Sequence, residues 1–191
     1  MKFPRALGAG IAITAAALAL AGCATEGPSA APSTTSDTLM LPAPQTNAQM
    51  DSEGAEGLSA TTFYYYEAMT YAQQTGKTEA MLSVTDECAA CTKAADAIAK
   101  VYADGGSIEG GQPKPQNVAA VGTVNGQGEL SAVVPFMQDA QKTLDANGKV
   151  VDETEWDADG TTYTVTGRYA DGQWKITSLK ETPDAKVPDA G

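Results

Sequence analysis

One change of period restricts the fold of this chain more than any other feature. Between Phe63 and Gly111 the apolar residues recur at helical spacing, and beyond Gln116 they alternate between turn dipeptides. The second helical segment has the cleaner pattern. Cys88, Cys91, Ala94, Ala95, Ile98, Val101 and Tyr102 fall on one face at 100° per residue, with Thr92, Lys93, Asp96 and Lys100 opposite. Thr85 or Asp86 is placed to cap its first turn, and Gly105-Gly106 ends it. The first segment is broader. Leu58, Tyr64, Tyr65, Ala68, Met69, Tyr71 and Ala72 share one side, while Phe63, Tyr66, Glu67, Thr70, Gln73 and Gln74 share the other. Aromatic rings on both sides imply contacts on both, or a ring lining a cavity. Gly76 stops this helix, and Thr78 to Val84 adds a short one.

The second half reads as strands. Ser107-Ile108-Glu109 is a short one, and Gln116 to Val124 leads to Asn125-Gly126. Glu129 to Leu144 reads as one long strand, bent near Pro135, and is followed by Asn147-Gly148. In Thr161 to Tyr169, Tyr163, Val165, Gly167 and Tyr169 point one way. Asp171-Gly172 turns the chain into Gln173 to Leu179, with Trp174 and Ile176 on one face. Asn-Gly and Asp-Gly tolerate positive φ and mark hairpins. Helices first and an antiparallel meander afterwards predict an α+β domain.

The composition excludes some partners. There are 24 acidic and 12 basic residues and no histidine. A net charge of −12 argues against nucleic acid and against anionic lipid surfaces. The start of the chain points to a membrane by another route. Lys2 and Arg5 precede an apolar run, Ala6 to Leu20, which is shorter than the roughly 20 residues a span needs. Leu20-Ala21-Gly22-Cys23 follows and resembles the lipobox of bacterial lipoproteins. That resemblance implies cleavage after residue 22 and a diacylglyceryl group on the Cys23 sulfur. Loss of Lys2 and Arg5 leaves 10 basic against 24 acidic residues, a net charge of −14. Acyl chains contribute about 0.8 kcal/mol per buried methylene, so anchoring needs no help from protein charge.

Residues 23–57 read as the anchored cysteine and a linker. They are rich in Ser, Thr, Pro, Ala and Gly, without the apolar area that offsets ordering entropy. As a coil such a linker spans about 30 Å. Thr34, Thr35 and Ser36 are candidate glycan acceptors on composition alone. The domain is expected over residues 58–182, with a tail at 183–191.

Helices followed by an antiparallel sheet resemble the nuclear transport factor 2-like fold, in which a curved sheet wraps a long N-terminal helix and leaves a conical pocket. Asp171-Gly172-Gln173-Trp174-Lys175-Ile176 is similar to its closing hairpin. A closer resemblance is to an uncharacterised family of actinobacterial lipoproteins, a domain of unknown function. It rests on Tyr71-Ala72, Thr75-Gly76, Cys88-x-x-Cys91, Ile98, Tyr102, Gly105-Gly106 and Ile108-Glu109-Gly110-Gly111, and covers roughly Thr62 to Leu179. It implies the fold and the location, an extracytoplasmic membrane face, and no chemistry.

Cys88-x-x-Cys91 reads as a structural disulfide of an oxidising compartment. The alternative is a redox pair whose Cys88 pKa the helix N-terminus lowers, but no βαβ pattern precedes it. Two cysteines without histidine leave a zinc site two ligands short. Glu155-x-Asp157-x-Asp159-Gly160 faintly resembles a calcium loop, but Thr166 stands where the bidentate Glu belongs. It reads as a solvated turn, and Asp152 to Glu155 as a solvated edge.

The expected function is therefore binding without catalysis, with no cofactor. The partner is a small apolar ligand or an envelope protein, and Phe63, Tyr66, Thr70, Tyr102 and Trp174 are the expected cavity lining. An isomerase- or cyclase-like enzyme is the alternative, and it requires a buried carboxylate as general base. The acidic residues instead cluster in turns and polar faces.

Overall fold

The computed structural model describes residues 41–121, 123–155 and 160–185. The leader, Cys23, most of the linker, Trp156, Asp157, Asp159 and the end of the tail lie outside the described residues. No described helix is long and apolar enough to cross a membrane.

Three helices come first: α1 (Ala55–Thr75), α2 (Glu79–Leu82) and α3 (Ala89–Ala103). Helix α1 is buried almost all round, as its two-sided aromatic pattern requires. Leu58, Tyr65, Ala68 and Ala72 are fully enclosed, Tyr64 and Tyr66 nearly so, and Phe63, Glu67 and Gln74 stay exposed. Gly76 ends it at φ 75°, returning its N–H to the Ala72 carbonyl. A Cβ there would also meet the Tyr102 ring at 2.5 Å, so two constraints fix this residue as glycine.

Helix α3 buries Cys91, Ala95 and Ile98, as its stripe predicts. Its cap is Cys88 rather than Thr85 or Asp86, and the Cys88 sulfur accepts from the Cys91 N–H. The expected caps are engaged elsewhere. Asp86 N–H donates to the Ile176 carbonyl, and Ile176 N–H donates to the Val84 carbonyl. Residues 84–86 thus cover the edge of the last strand.

Strands β1 (Ser107–Gly110), β5 (Gln141–Leu144) and β6 (Val150–Thr154) form one sheet in the order β1-β5-β6. Strands β2 (Pro113–Pro115), β3 (Ala119–Val121), β4 (Glu129–Gln138), β7 (Thr161–Ala170) and β8 (Gln173–Glu181) form the other. Its order is β2-β4-β7-β8, with β3 beside β2 along the same edge of β4. All strand pairs are antiparallel. The α+β class therefore holds, but the simple meander does not. The β5–β6 hairpin leaves the larger sheet, and β4 pairs across it with β7.

The expected strand from Glu129 to Leu144 breaks at Asp139-Ala140, not at Pro135. The break lies opposite Gly111-Gln112 on the partner, between the pairs Pro113↔Gln138 and Gly110↔Gln141. Two facing interruptions curl the ladder into two sheets. Pro135 stays in β4 because its carbonyl accepts from Gln116 N–H in the gap between β2 and β3. Its missing N–H faces that same gap, beyond the end of β2, so only the reciprocal bond to Gln116 is forgone.

The domain also begins earlier than expected. A 3-10 turn at Ala48–Asp51 buries Met50, and Asn47 caps it by accepting from Gln49 N–H. Tyr169 donates its hydroxyl to the Asp51 carbonyl at 2.8 Å, and Trp174 its indole N–H to Ser52 at 2.9 Å. These partners lie more than a hundred residues away, so no local period reveals them. Within the 41–57 part of the linker, Met50 to Ser52 and Gly57 are tied to the domain, while residues 41–49 stay largely exposed.

Candidate functional site

The site is built by α1 lying across the concave side of the larger sheet. Tyr65, Tyr66 and Met69 of α1 form one wall of a cavity of about 280 Å³, and Ala90 and Ala94 of α3 form a second. Phe136 and Gln138 of β4, Tyr163 of β7 and Leu179 of β8 complete it. Its rings run in a chain. Tyr65 meets Tyr66 edge-on at 5.4 Å between centroids, Tyr66 meets Phe136 at 5.3 Å, and Phe136 meets Tyr163 at 5.4 Å. These separations are those of favourable aromatic pairs. Tyr65 is wholly buried, whereas Ala90 is exposed.

The polar groups are few. The Tyr65 hydroxyl is buried and has no hydrogen-bond partner among the described residues. Burial pushes its pKa upward; burial also raises Tyr66, reinforced by the neighbouring Tyr65 and Tyr163 phenols. Both therefore stay protonated at neutral pH. At the rim, Gln141 Oε1 accepts from Gln73 and Gln138. No Asp, Glu, Lys or Arg is among the described residues lining the cavity. The buried polar side chains of the described domain are Thr61, Thr62 and Gln73, so no described carboxylate is in the buried class. Glu129 and Asp145, whose pKa values are lowered, sit at the start of β4 and just after β5. Asn125 and Arg168 hold Glu129, and the backbone N–H groups of Lys149 and Asn147 hold Asp145.

The five residues expected to line one cavity do not converge. Tyr66 does line it. Phe63 and Thr70 lie with Tyr66 on an outer groove of about 240 Å³ bounded by Pro113 and Pro115. Tyr102 packs its ring against Gly76 and donates its hydroxyl to the Gln73 carbonyl. Trp174 belongs to a third cavity, about 520 Å³, beneath the 46–51 segment. The reason is rotational. Phe63, Tyr66 and Thr70 share an α1 face that turns past the cavity toward β2. Tyr65, assigned to the opposite side of α1, and Tyr163 are the rings that pattern reading had in view without placing. Phe136 and Leu179 carry no distinguishing sequence signal, since each is one apolar strand residue among many.

Cys88 and Cys91 are joined in a disulfide, and both are buried, at 2% and 0% exposure. Exchange with an external thiol requires access to a sulfur, so the bond closes the first turn of α3 beside the cavity wall. Among the described residues no three His, Cys, Asp or Glu side chains are grouped to hold a metal. Thr166, at the twelfth position of the supposed calcium loop, pairs its hydroxyl with Ser131 at 3.0 Å.

These features define an α+β domain with a largely aromatic cavity, uncharged among the described residues, between a core helix and a curled antiparallel sheet. The chain belongs to DUF6318, a family of unknown function, whose profile matches residues 35–180. No curated protein matches the sequence. Among solved structures it is similar to the intermembrane-space region of the chloroplast protein ARC6, at 14% identity and a TM-score of 0.43, covering 68% of this chain and 97% of that one. A candidate aromatic ring hydroxylase from Novosphingobium aromaticivorans is 15% identical, with a TM-score of 0.43 and coverage of 68% and 87%. A candidate dehydratase of the NTF2-like family from Streptomyces avermitilis is 17% identical, with a TM-score of 0.40 and coverage of 69% and 96%. The activities in those names belong to those proteins.

Proposed function

We propose that this protein is a lipid-anchored envelope protein whose domain holds a small apolar ligand without transforming it. The observation that carries the reading is the lining of the 280 Å³ cavity: rings, aliphatic and thioether groups, the single amide of Gln138, and no charged side chain among the described residues. A general base needs a carboxylate or imidazole beside the substrate, and a site without one binds better than it catalyses. Volume and lining are those of a small-molecule pocket. The anchor rests on the ordered leader ending at Cys23, which supports a position on the extracytoplasmic face of the plasma membrane. Burial of both cysteines favours the structural role of their bond over the redox one.

The test is titration of residues 41–191 with the neutral fluorescent probe N-phenyl-1-naphthylamine. The wild type is expected to bind it at one site, and Ala94→Phe, which fills the cavity from α3, to lose binding while keeping its circular dichroism. Undiminished binding by a folded Ala94→Phe variant removes the cavity from the account. Turnover of any ligand by the purified domain would restore the enzyme reading.

A further inference from the structure

Strand β6 is the outer strand of the smaller sheet, and none of its residues lines the cavity. We infer that β6 is a docking edge that takes an extended segment of a partner protein, rich in lysine or arginine, as an added strand. An unpaired strand edge is a template for another chain, and folded proteins blunt such edges. The other edges of this domain are blunted. β2 has proline at two of its three positions, and β3, beside it, is only three residues long. Residues 84–86 bond to β8, and α1 and α3 both pack on β1. β6 bonds to β5 on one side and to no described strand on the other. It contains neither proline nor lysine, and all five of its residues are exposed. Val150 and Val151 stay 41% and 59% exposed, although valine is ordinarily a buried residue.

Two observations specify the occupant. The first is charge. Residues 150–155 carry Asp152, Glu153 and Glu155 and no base. Lys142 pairs with Glu153, and Lys100 with Asp104. Around this edge Asp145, Asp152 and Glu155 are left without a salt bridge among the described residues, against Lys149 alone. The whole chain carries −12, so a cationic segment is drawn to it and a second copy is repelled. The second observation is a recess of about 140 Å³ beside β6, where Val151 meets Val101 and Leu144 and where Asp104 and Asp145 also belong to the lining. Such a lining matches the aliphatic stem and charged head of a lysine or arginine. Strand addition divides the work in the same way: main-chain bonds hold the segment, and pockets for alternate side chains select it.

The probe is a labelled, end-capped heptapeptide, Lys-Val-Lys-Val-Lys-Val-Lys, titrated by fluorescence anisotropy against the full chain in mild neutral detergent. Two relatives accompany it, one with glutamate for lysine and one with the same side chains on an N-methylated backbone. The cationic peptide is expected to bind at one site and the other two about tenfold more weakly or worse, since one lacks the charge and the other the ladder bonds. Binding should slow hydrogen exchange within residues 150–155. The exposed pair Asp152→Lys and Glu155→Lys should weaken the cationic peptide about tenfold with circular dichroism unchanged. Equal binding of the N-methylated peptide would reduce the effect to bulk charge and overturn strand addition. No binding of the cationic peptide, equal binding of the glutamate peptide, or protection elsewhere in the domain also overturns the inference. A dimer in sedimentation that protects residues 150–155 before any peptide is added would hand the edge to a second copy instead. None of these outcomes bears on ligand binding in the cavity.

Discussion

The indole N–H of Trp174 donates to the carbonyl of Ser52 at 2.9 Å, fastening the segment before α1 to the start of β8, the last strand. Gly57 makes room for this contact, because a Cβ there would meet Ser52 O at 1.8 Å and Trp174 Nε1 at 2.6 Å. Trp174→Phe keeps an aromatic ring in the core but leaves the Ser52 carbonyl unpaired, at an expected loss of about 1–3 kcal/mol. Limited proteolysis should then cut within residues 41–52 well before the rest of the domain. Equal protection of that segment in variant and wild type would show that it is held by something else.

Alkaline pH should loosen the fold through two tyrosines. An unfolded tyrosine loses its proton near 10.0, whereas burial raises Tyr65 and Tyr66 well above that. Above about pH 10 the unfolded chain therefore binds fewer protons than the native one, and stability falls as pH rises. Below that value the contribution is fully present. Tyrosinate absorbance should show Tyr65 and Tyr66 ionising only as the circular dichroism signal collapses. Reversible ionisation of all seven tyrosines in a folded domain would contradict the enclosed position of Tyr65.

Cys88 and Cys91 should resist alkylation in protein from the native host until a reductant is added, as read by mass spectrometry. Replacing both by serine is expected to cost about 2 kcal/mol on the loop-closure model. The loss should appear as faster hydrogen exchange in the first turn of α3. Free alkylation of both residues without reductant would overturn the pairing.

Cys23→Ala should move the protein from the membrane fraction to the soluble fraction of its host. The leader ends at this cysteine and the described helices offer no membrane-crossing alternative. A variant that still partitions like wild type would remove lipidation from the account.

Much of the scaffold was legible because its signals are local. The 3.6-residue stripe of α3, the glycine after α1 and the Asp171-Gly172 hairpin each depend on residues close in sequence. In sequence, strand β6 has only the look of a solvated edge. All its residues are exposed, so it has no apolar alternation to reveal it. Strand β2 is two prolines around a lysine, a composition that argues against a strand. It forms because β4 offers a free edge at Phe136 to Gln138. The cavity was the least legible part. Its walls come from five elements, and which α1 face meets them depends on the helix rotation set by the sheet. Tyr65 and Tyr66 are adjacent in sequence yet serve it differently, since Tyr66 alone is also a wall of the outer groove.

The central claim is that the cavity between α1 and the sheet is occupied in the envelope by a small apolar molecule. Native mass spectrometry of protein purified in mild detergent from its own membrane, paired with organic extraction, reads this directly. A single added mass of an uncharged small molecule is expected on the wild type and should be absent from a folded Ala94→Phe variant. An unliganded wild type that instead cross-links to an envelope protein through the Phe63 groove would contradict the claim.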